Sequence, residues 1–188
     1  MDETNIKYTI NKAYIQTKYE HLKNLEMQMV KASDNLDDFE SSLDIKSLIP
    51  KIFVLSVGSH FEKEVTIILK NIFQHLSHNN SVIQYCLETN MLKNKFFQLF
   101  DWKKKQTNSF ANKFGEPFSH SIKEYRKTDT DFELGEGNFL SFINKRNTFA
   151  HEDIIDTPNE STLDDYYEQA LSAANTLDLI FENLITHP

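Results

Sequence analysis

The chain has 188 residues, which sets one domain as the default and leaves enough chain to bury a substantial core. Four Gly and four Pro against fifteen Phe and seven Tyr argue against a loop-rich or disordered chain and suit a helix bundle with an aromatic core. The net charge of −8 counts against nucleic-acid binding unless positive charge clusters locally, because phosphate is gripped by Lys and Arg.

Cys86 stands alone, so a disulfide framework is excluded and a reducing cytosol fits. No apolar run approaches the roughly 20 residues of a membrane span. The opening Met1, Asp2, Glu3, Thr4 and Asn5 supply neither a basic nor an apolar leader segment. The expected location is cytoplasmic, with no membrane partner.

Residues 5–33 read as one long helix. Tyr8, Ile15, Leu22 and Met29 recur at seven-residue intervals, with Tyr19 and Leu25 beside them. So narrow a stripe packs on one neighbour. Residues 34–44 are acidic and Ser-rich, and read as a connecting loop.

Residues 45–76 read as the central helix. Asp44 is a candidate N-cap, and Pro50 is tolerable only near a helix start, so the regular part is expected to begin there. Val54, Val57, Phe61, Val65, Ile68, Leu69 and Ile72 form a broad apolar stripe. Gly58 within it would let another helix come close. Ser59, His60 and Glu62 make a polar cluster on this core-facing helix. Glu62 either points to water from the rim or steadies a buried cation, since a charge on an apolar face needs a partner. His75 and His78 near the helix end complement its dipole. Their spacing could also hold a metal, but no third ligand type gathers nearby, and no metal is expected.

Residues 81–100 read as one or two short helices broken near Thr89 and Asn90. Phe96, Phe97, Leu99, Phe100 and Trp102 are interleaved with or followed by Lys93, Lys95, Lys103, Lys104, Lys105 and Lys113. Aromatics among lysines can grip single-stranded RNA by stacking and phosphate contact. Equally, the aromatics can be core and the lysines a solvated outer face. Residues 112–134, with Gly115 and Pro117, read as a helix stop and a loop.

Residues 138–152 read as the helix on which the chain is organised. Phe139, Phe142, Ile143, Phe149, Ala150 and Ile154 share one face, and Arg146 falls in its middle. A guanidinium cannot shed its proton at ordinary pH, and burying it unpaired is costly. Arg146 therefore needs a carboxylate or a visiting anion. Asn147 and His151 lie four apart and line up on the flank of that face. Residues 156–159 turn the chain. Ser161 or Thr162, followed by Asp164 and Asp165, starts a last helix with Tyr166, Ala170, Ala173, Leu177, Ile180, Phe181 and Leu184 on its apolar face. No stretch alternates as a strand, so the expected fold class is all-α.

Arg146, Asn147 and His151 resemble the Arg-x4–6-His signature of the HEPN superfamily, in which a polar residue follows the Arg. The resemblance implies a helical bundle that pairs with its own copy. Many members are metal-independent RNA endonucleases, often toxins or antiviral effectors. It covers roughly residues 45–186 of a single domain spanning 1–188, with residues 1–40 as an added N-terminal helix. It implies catalytic roles for Arg146, Asn147 and His151, with RNA as substrate and no cofactor. Glu62 as the carboxylate beside Arg146, and Lys103, Lys104 and Lys105 as RNA contacts, come from the residues themselves. In family members silenced by a nucleotidyltransferase partner, a Tyr stands two residues after the His. Asp153 stands there, so silencing by tyrosine adenylylation is not expected.

RNA carries its own nucleophile, the 2′-hydroxyl. Cleavage requires taking that proton, stabilising the crowded phosphate, and protonating the leaving 5′-oxygen. Histidine suits proton transfer with an ordinary pKa of about 6.5, and the arginine fork matches two phosphate oxygens. The expected activity is an endoribonuclease leaving 2′,3′-cyclic phosphate and 5′-hydroxyl ends, in a toxin–antitoxin or phage-defence setting with an antitoxin or other regulatory partner. The alternative is a non-catalytic module of the same fold that binds a nucleotide or protein, which the acidity favours.

Overall fold

A computed structural model describes residues 7–35, 39–93, 96–151 and 161–186. Among these residues there are helices and turns and no strand. Four long helices carry the fold: α1 (Lys12–Asp34), α2 (Phe39–Leu76), α7 (Thr130–His151) and α8 (Leu163–Thr186). Between α2 and α7 lie α3 (Ser81–Leu87), a π-helical turn (Glu88–Leu92), α4 (Phe96–Leu99), α5 (Asn108–Ala111) and α6 (Glu116–Thr128).

Of the four heptad positions, Ile15 and Leu22 are buried, whereas Tyr8 precedes the helix and Met29 is exposed, and α1 packs on both α2 and α8 rather than on one neighbour. It begins at Lys12, capped by the Asn11 side chain, which accepts from Tyr14 N at 3.3 Å. The residues before it are tied down by polar contacts. Ile10 N donates to Asp178 Oδ1 at 2.7 Å, and buried Glu64 receives Lys7 Nζ and, at 3.2 Å, Asn11 N.

The central helix starts at Phe39, earlier than Pro50 suggests. Pro50 forfeits one backbone hydrogen bond. Ile49, Phe53 and Val54 are buried around it and keep the helix on course. The helix ends in a left-handed turn at His78 and Asn79, with φ of 50° and 59°. Asn80 then caps α3 by accepting from Val82 N and Ile83 N. The break near Thr89 is a π-helical turn that continues α3 rather than ending it.

Two larger departures come from residues 112–137. Residues 116–128 form a helix, not a loop. Gly115, at φ 97°, reverses the chain, Pro117 sits in the first turn, and Phe118 and Ile122 are buried. The next helix begins at Thr130 rather than 138, because Asp129 caps it by accepting from Asp131 N at 2.9 Å and Phe132 N at 3.0 Å. Gly135 and Gly137 are therefore inside α7. Gly135 is a contact point: a methyl there would run into Thr176 Oγ1 and lie 2.8 Å from Ser172 O on α8. Ser161, Thr162 and the last helix follow expectation. Thr162 Oγ1 accepts from Asp165 N at 3.1 Å, and Asp165 Oδ2 accepts from Thr162 N at 2.8 Å, a reciprocal capping box. Asp153, Ile154 and the turn at 156–159 lie outside the described residues, as does Lys95.

The helix α7 pairs most extensively with α8, while α2 touches α1, α7 and α8. Phe53, Phe61, Phe139 and Phe142 interlock between α2 and α7, with edge-to-face ring centroids 5.8–6.3 Å apart. Each such buried side chain is worth roughly 1.5–3 kcal/mol of transfer free energy. A buried ion pair fixes the α6–α7 corner. Glu136 is fully buried and accepts from Arg126 Nε, from Arg126 Nη2 at 3.0 Å and from Thr107 N at 3.0 Å. With its oxygens satisfied, that carboxylate meets the condition under which a buried charge is tolerated. No described helix is long and apolar enough to cross a membrane.

Candidate functional site

The site is built where α7 crosses α2. Gly58 is buried at the crossing, and a methyl on it would lie 2.6 Å from Arg146 Cγ and 2.8 Å from Arg146 Cβ. The missing side chain on α2 is thus the seat for the aliphatic stem of Arg146. From there the guanidinium runs along α2. Its Nη2 donates to Ser59 Oγ at 3.3 Å and lies 3.6 Å from Glu62 Oε2. Nη1 donates to Asn147 Oδ1 at 3.1 Å.

The cation is only loosely held. At 3.6 Å the Glu62 contact is an ion pair without a hydrogen bond. Side-chain exposures of 21% for Arg146 and 34% for Glu62 leave the pair open to solvent, where such pairs contribute about 0–1 kcal/mol. Nε is shut off from solvent and has no acceptor among the described residues. A buried donor left without a partner costs about 1–3 kcal/mol. The guanidinium fork is therefore short of acceptors while one edge of it is reachable.

Asn147 is half-buried, and its amide oxygen is taken by Arg146, leaving its NH2 group as a donor. His151 is the last residue of α7 and is exposed. It lies five positions after Arg146, about 7.5 Å of rise and some 140° of rotation at helical geometry. Within one chain, Arg146 leans on α2 while His151 projects from another side of α7.

Neighbouring side chains sort onto other faces. His60 stacks on Tyr14 with ring centroids 4.1 Å apart, and its Nε2 lies 3.3 Å from Asn11 O, so it serves the α1–α2 contact. Burial holds its pKa below the ordinary value, against the opposing pull of Glu64. Lys103, Lys104 and Lys105 are exposed on the turn before α5. That turn meets α7 at Gly137, whose added methyl would lie 3.7 Å from Lys105 O. Gly137 is nine residues before Arg146, half a turn round the helix and about 13.5 Å along it. The structure brings Glu62 to Arg146 and does not bring the three lysines there. Lys104 and Lys105 instead edge a groove of about 590 Å³ lined by Trp102, Asn138, Ser141 and Asn144. Ser141 and Asn144 continue in helical register to His151.

Ser59 is a ligand of the guanidinium that the sequence does not single out. Its signal is its position: beside Gly58 and three before Glu62, it shares the face Arg146 crosses. His75 packs edge-on to Tyr8 at 6.3 Å, and no group of three or more His, Cys, Asp or Glu is placed to hold a metal among the described residues.

Compared with known proteins, the chain matches one family model, described as RiboL-PSP-HEPN, over residues 11–183. The matched stretch takes in α1 and all the residues gathered around Arg146. No curated protein and no solved structure matches it.

Proposed function

The chain belongs to the RiboL-PSP-HEPN family, and from that premise we propose that it is an endoribonuclease acting without a metal ion. The observation that carries the reading is the loosely held, partly exposed fork of Arg146, whose Nη1 and Nη2 each meet one neutral oxygen while the nearest carboxylate stands off at 3.6 Å. A phosphate oxygen placed between its Nη atoms gains a charge-assisted pair of hydrogen bonds. Glu62 and Ser59 act as positioning residues that hold the fork in reach, and Asn147 offers its NH2 to the same phosphate. His151 moves the protons, first from the 2′-hydroxyl and then to the 5′-oxygen. The products are a 2′,3′-cyclic phosphate and a 5′-hydroxyl.

The 140° between Arg146 and His151 supports a homodimer, in which a second α7 completes the site and doubles the local positive charge. A twofold is the commonest arrangement for such pairing. Lys103, Lys104 and Lys105 lie on the His151 side of α7 and would hold RNA flanking the cut, not the scissile phosphate. The setting proposed is a toxin–antitoxin or phage-defence system, in the cytoplasm, with a regulatory protein partner.

The test is incubation of purified protein with RNA in EDTA. Cleavage that persists in EDTA and is lost in Arg146→Ala and His151→Ala supports the reading. Equal cleavage by wild type and His151→Ala removes His151 from the mechanism. The net charge of −8 favours a second reading, a non-catalytic module that binds a nucleotide or a protein. Growth arrest on expression, relieved by His151→Ala, separates the enzyme from that module.

A further inference from the structure

The face of α2 that receives Arg146 does not end at Glu62. Ser59, Glu62, Thr66 and Lys70 fall within about 80° of one another on the helical wheel, so they form one stripe. The guanidinium already lies over the first two. One turn further on, Thr66 and Lys70 form the wall of a groove of about 350 Å³. Its opposite wall is Tyr85 from α3 with Glu88 and Thr89 from the π-helical turn and Lys93 just after it.

Three features make this groove more than a crease. Tyr85 is 69% exposed, on a helix that buries none of its residues. An aromatic ring gains little by facing water, and here it stands at the lip of a slot. The π-helical turn, closed by Lys93 N donating to Glu88 O at 2.9 Å, is a costly local geometry that gathers around functional sites. Its effect here is to set Glu88, Thr89 and Lys93 along the groove wall. The charge balance is two cations, Lys70 and Lys93, against one carboxylate, and Glu88 is turned to its own helix by Gln84 Nε2 at 2.8 Å. In a chain of net charge −8, this is local positive charge on the same face as Arg146.

We propose that this groove binds a nucleotide of single-stranded RNA beside the scissile phosphate. The base stacks on Tyr85, and Lys70 and Lys93 take the phosphates on either side of it. The hydroxyls of Thr66 and Thr89 face the sugar and base edge. Thr66 Oγ1 spends its proton on Glu62 O at 2.8 Å, so towards the ligand it is an acceptor. The volume lies near the lower end of the roughly 300–1,000 Å³ typical of small-ligand sites, which suits one nucleotide. A ring and two separated ammonium groups are the elements that grip single strands without a duplex.

The inference rests on the nuclease reading only for its direction along the strand. It is tested by binding. Full-length His151→Ala protein, mixed with a fluorescein-labelled single-stranded oligoribonucleotide, is followed by anisotropy at several salt concentrations. Adding Tyr85→Ala is expected to weaken binding about tenfold, the loss of one base stack. Tyr85→Phe keeps the ring and is expected to keep the affinity. Lys70→Gln is expected to lower the salt slope by roughly 0.7, one phosphate contact on a single strand. Unchanged affinity and slope in both Tyr85→Ala and Lys70→Gln would overturn the groove while leaving wild-type cleavage as evidence for the nuclease. Tyr85-dependent binding by a wild type that never cleaves would sustain the groove and sink the nuclease. No binding by His151→Ala protein whose wild type does cleave would also overturn the groove.

Discussion

Gly58→Ala probes the seat of Arg146 directly. The new methyl would stand 2.6 Å from Arg146 Cγ and 2.8 Å from Arg146 Cβ, where carbons ordinarily sit roughly 3.5–4.0 Å apart. The Cγ can swing, but the Cβ is fixed to the backbone of α7. Either the helices separate by about an ångström or the arginine leaves its seat. Overpacking of this kind costs roughly 1–3 kcal/mol, and alanine returns up to about 1 kcal/mol of helix propensity. The net expectation is a loss of about 1 kcal/mol, or roughly 2–4 °C in Tm for a chain of this size. Urea unfolding measures it. In an Arg146→Ala background the Cγ contact is gone and the Cβ contact stays, so the cost should shrink without vanishing. Cleavage by Gly58→Ala should fall further than stability does, because the guanidinium is displaced from Ser59 and Glu62. A Gly58→Ala protein stabilised by about 1 kcal/mol with full activity would refute the close approach.

Arg126→Met should cost about 3–5 kcal/mol in urea unfolding, because it leaves Glu136 buried and unpaired; a change below 1 kcal/mol would contradict the corner described here. Gly135→Ala should be worse tolerated than Gly137→Ala. The first meets Thr176 and the Ser172 backbone on α8, whereas the second meets Lys105 O at an ordinary 3.7 Å and gains helix propensity; paired melting curves decide it. His60 should make stability pH-dependent. Its folded pKa is depressed by burial, so the unfolded chain takes up the proton first, from about pH 6.5. The stability it contributes is whole above that pH and is lost as pH falls towards the folded value. His60→Asn should flatten that part of a Tm–pH curve, and an unaltered curve would count against it.

Particular residues show what a sequence can carry. Gly58 and Glu62 stand out because helical period alone puts a gap and a charge inside an apolar arc. Which neighbour fills that gap is a tertiary fact. The last helix is legible because its capping box and apolar face are local. Residues 116–128 are not, since Gly115, Pro117 and a polar outer surface mimic a loop, and what holds the helix down is tertiary: burial of Phe118 and Ile122 and the Arg126–Glu136 pair. Arg126 and Glu136 each look like surface charges, and their pairing depends on the corner at Asp129. Gly135 and Gly137 look like helix breakers. In the fold they are places where α8 and the Lys105 turn come close. The Tyr85 groove joins residues from α2, α3 and the π-helical turn, a combination no single stretch displays.

The most direct measurement compares an RNA oligonucleotide with the same sequence carrying a 2′-deoxy sugar at the cleaved position, both in EDTA, with product ends identified by mass. The account predicts that the RNA is cut to a 2′,3′-cyclic phosphate and a 5′-hydroxyl and that the deoxy substrate stays whole at that position. A deoxy substrate cut equally well, or RNA products bearing a 5′-phosphate, would contradict it.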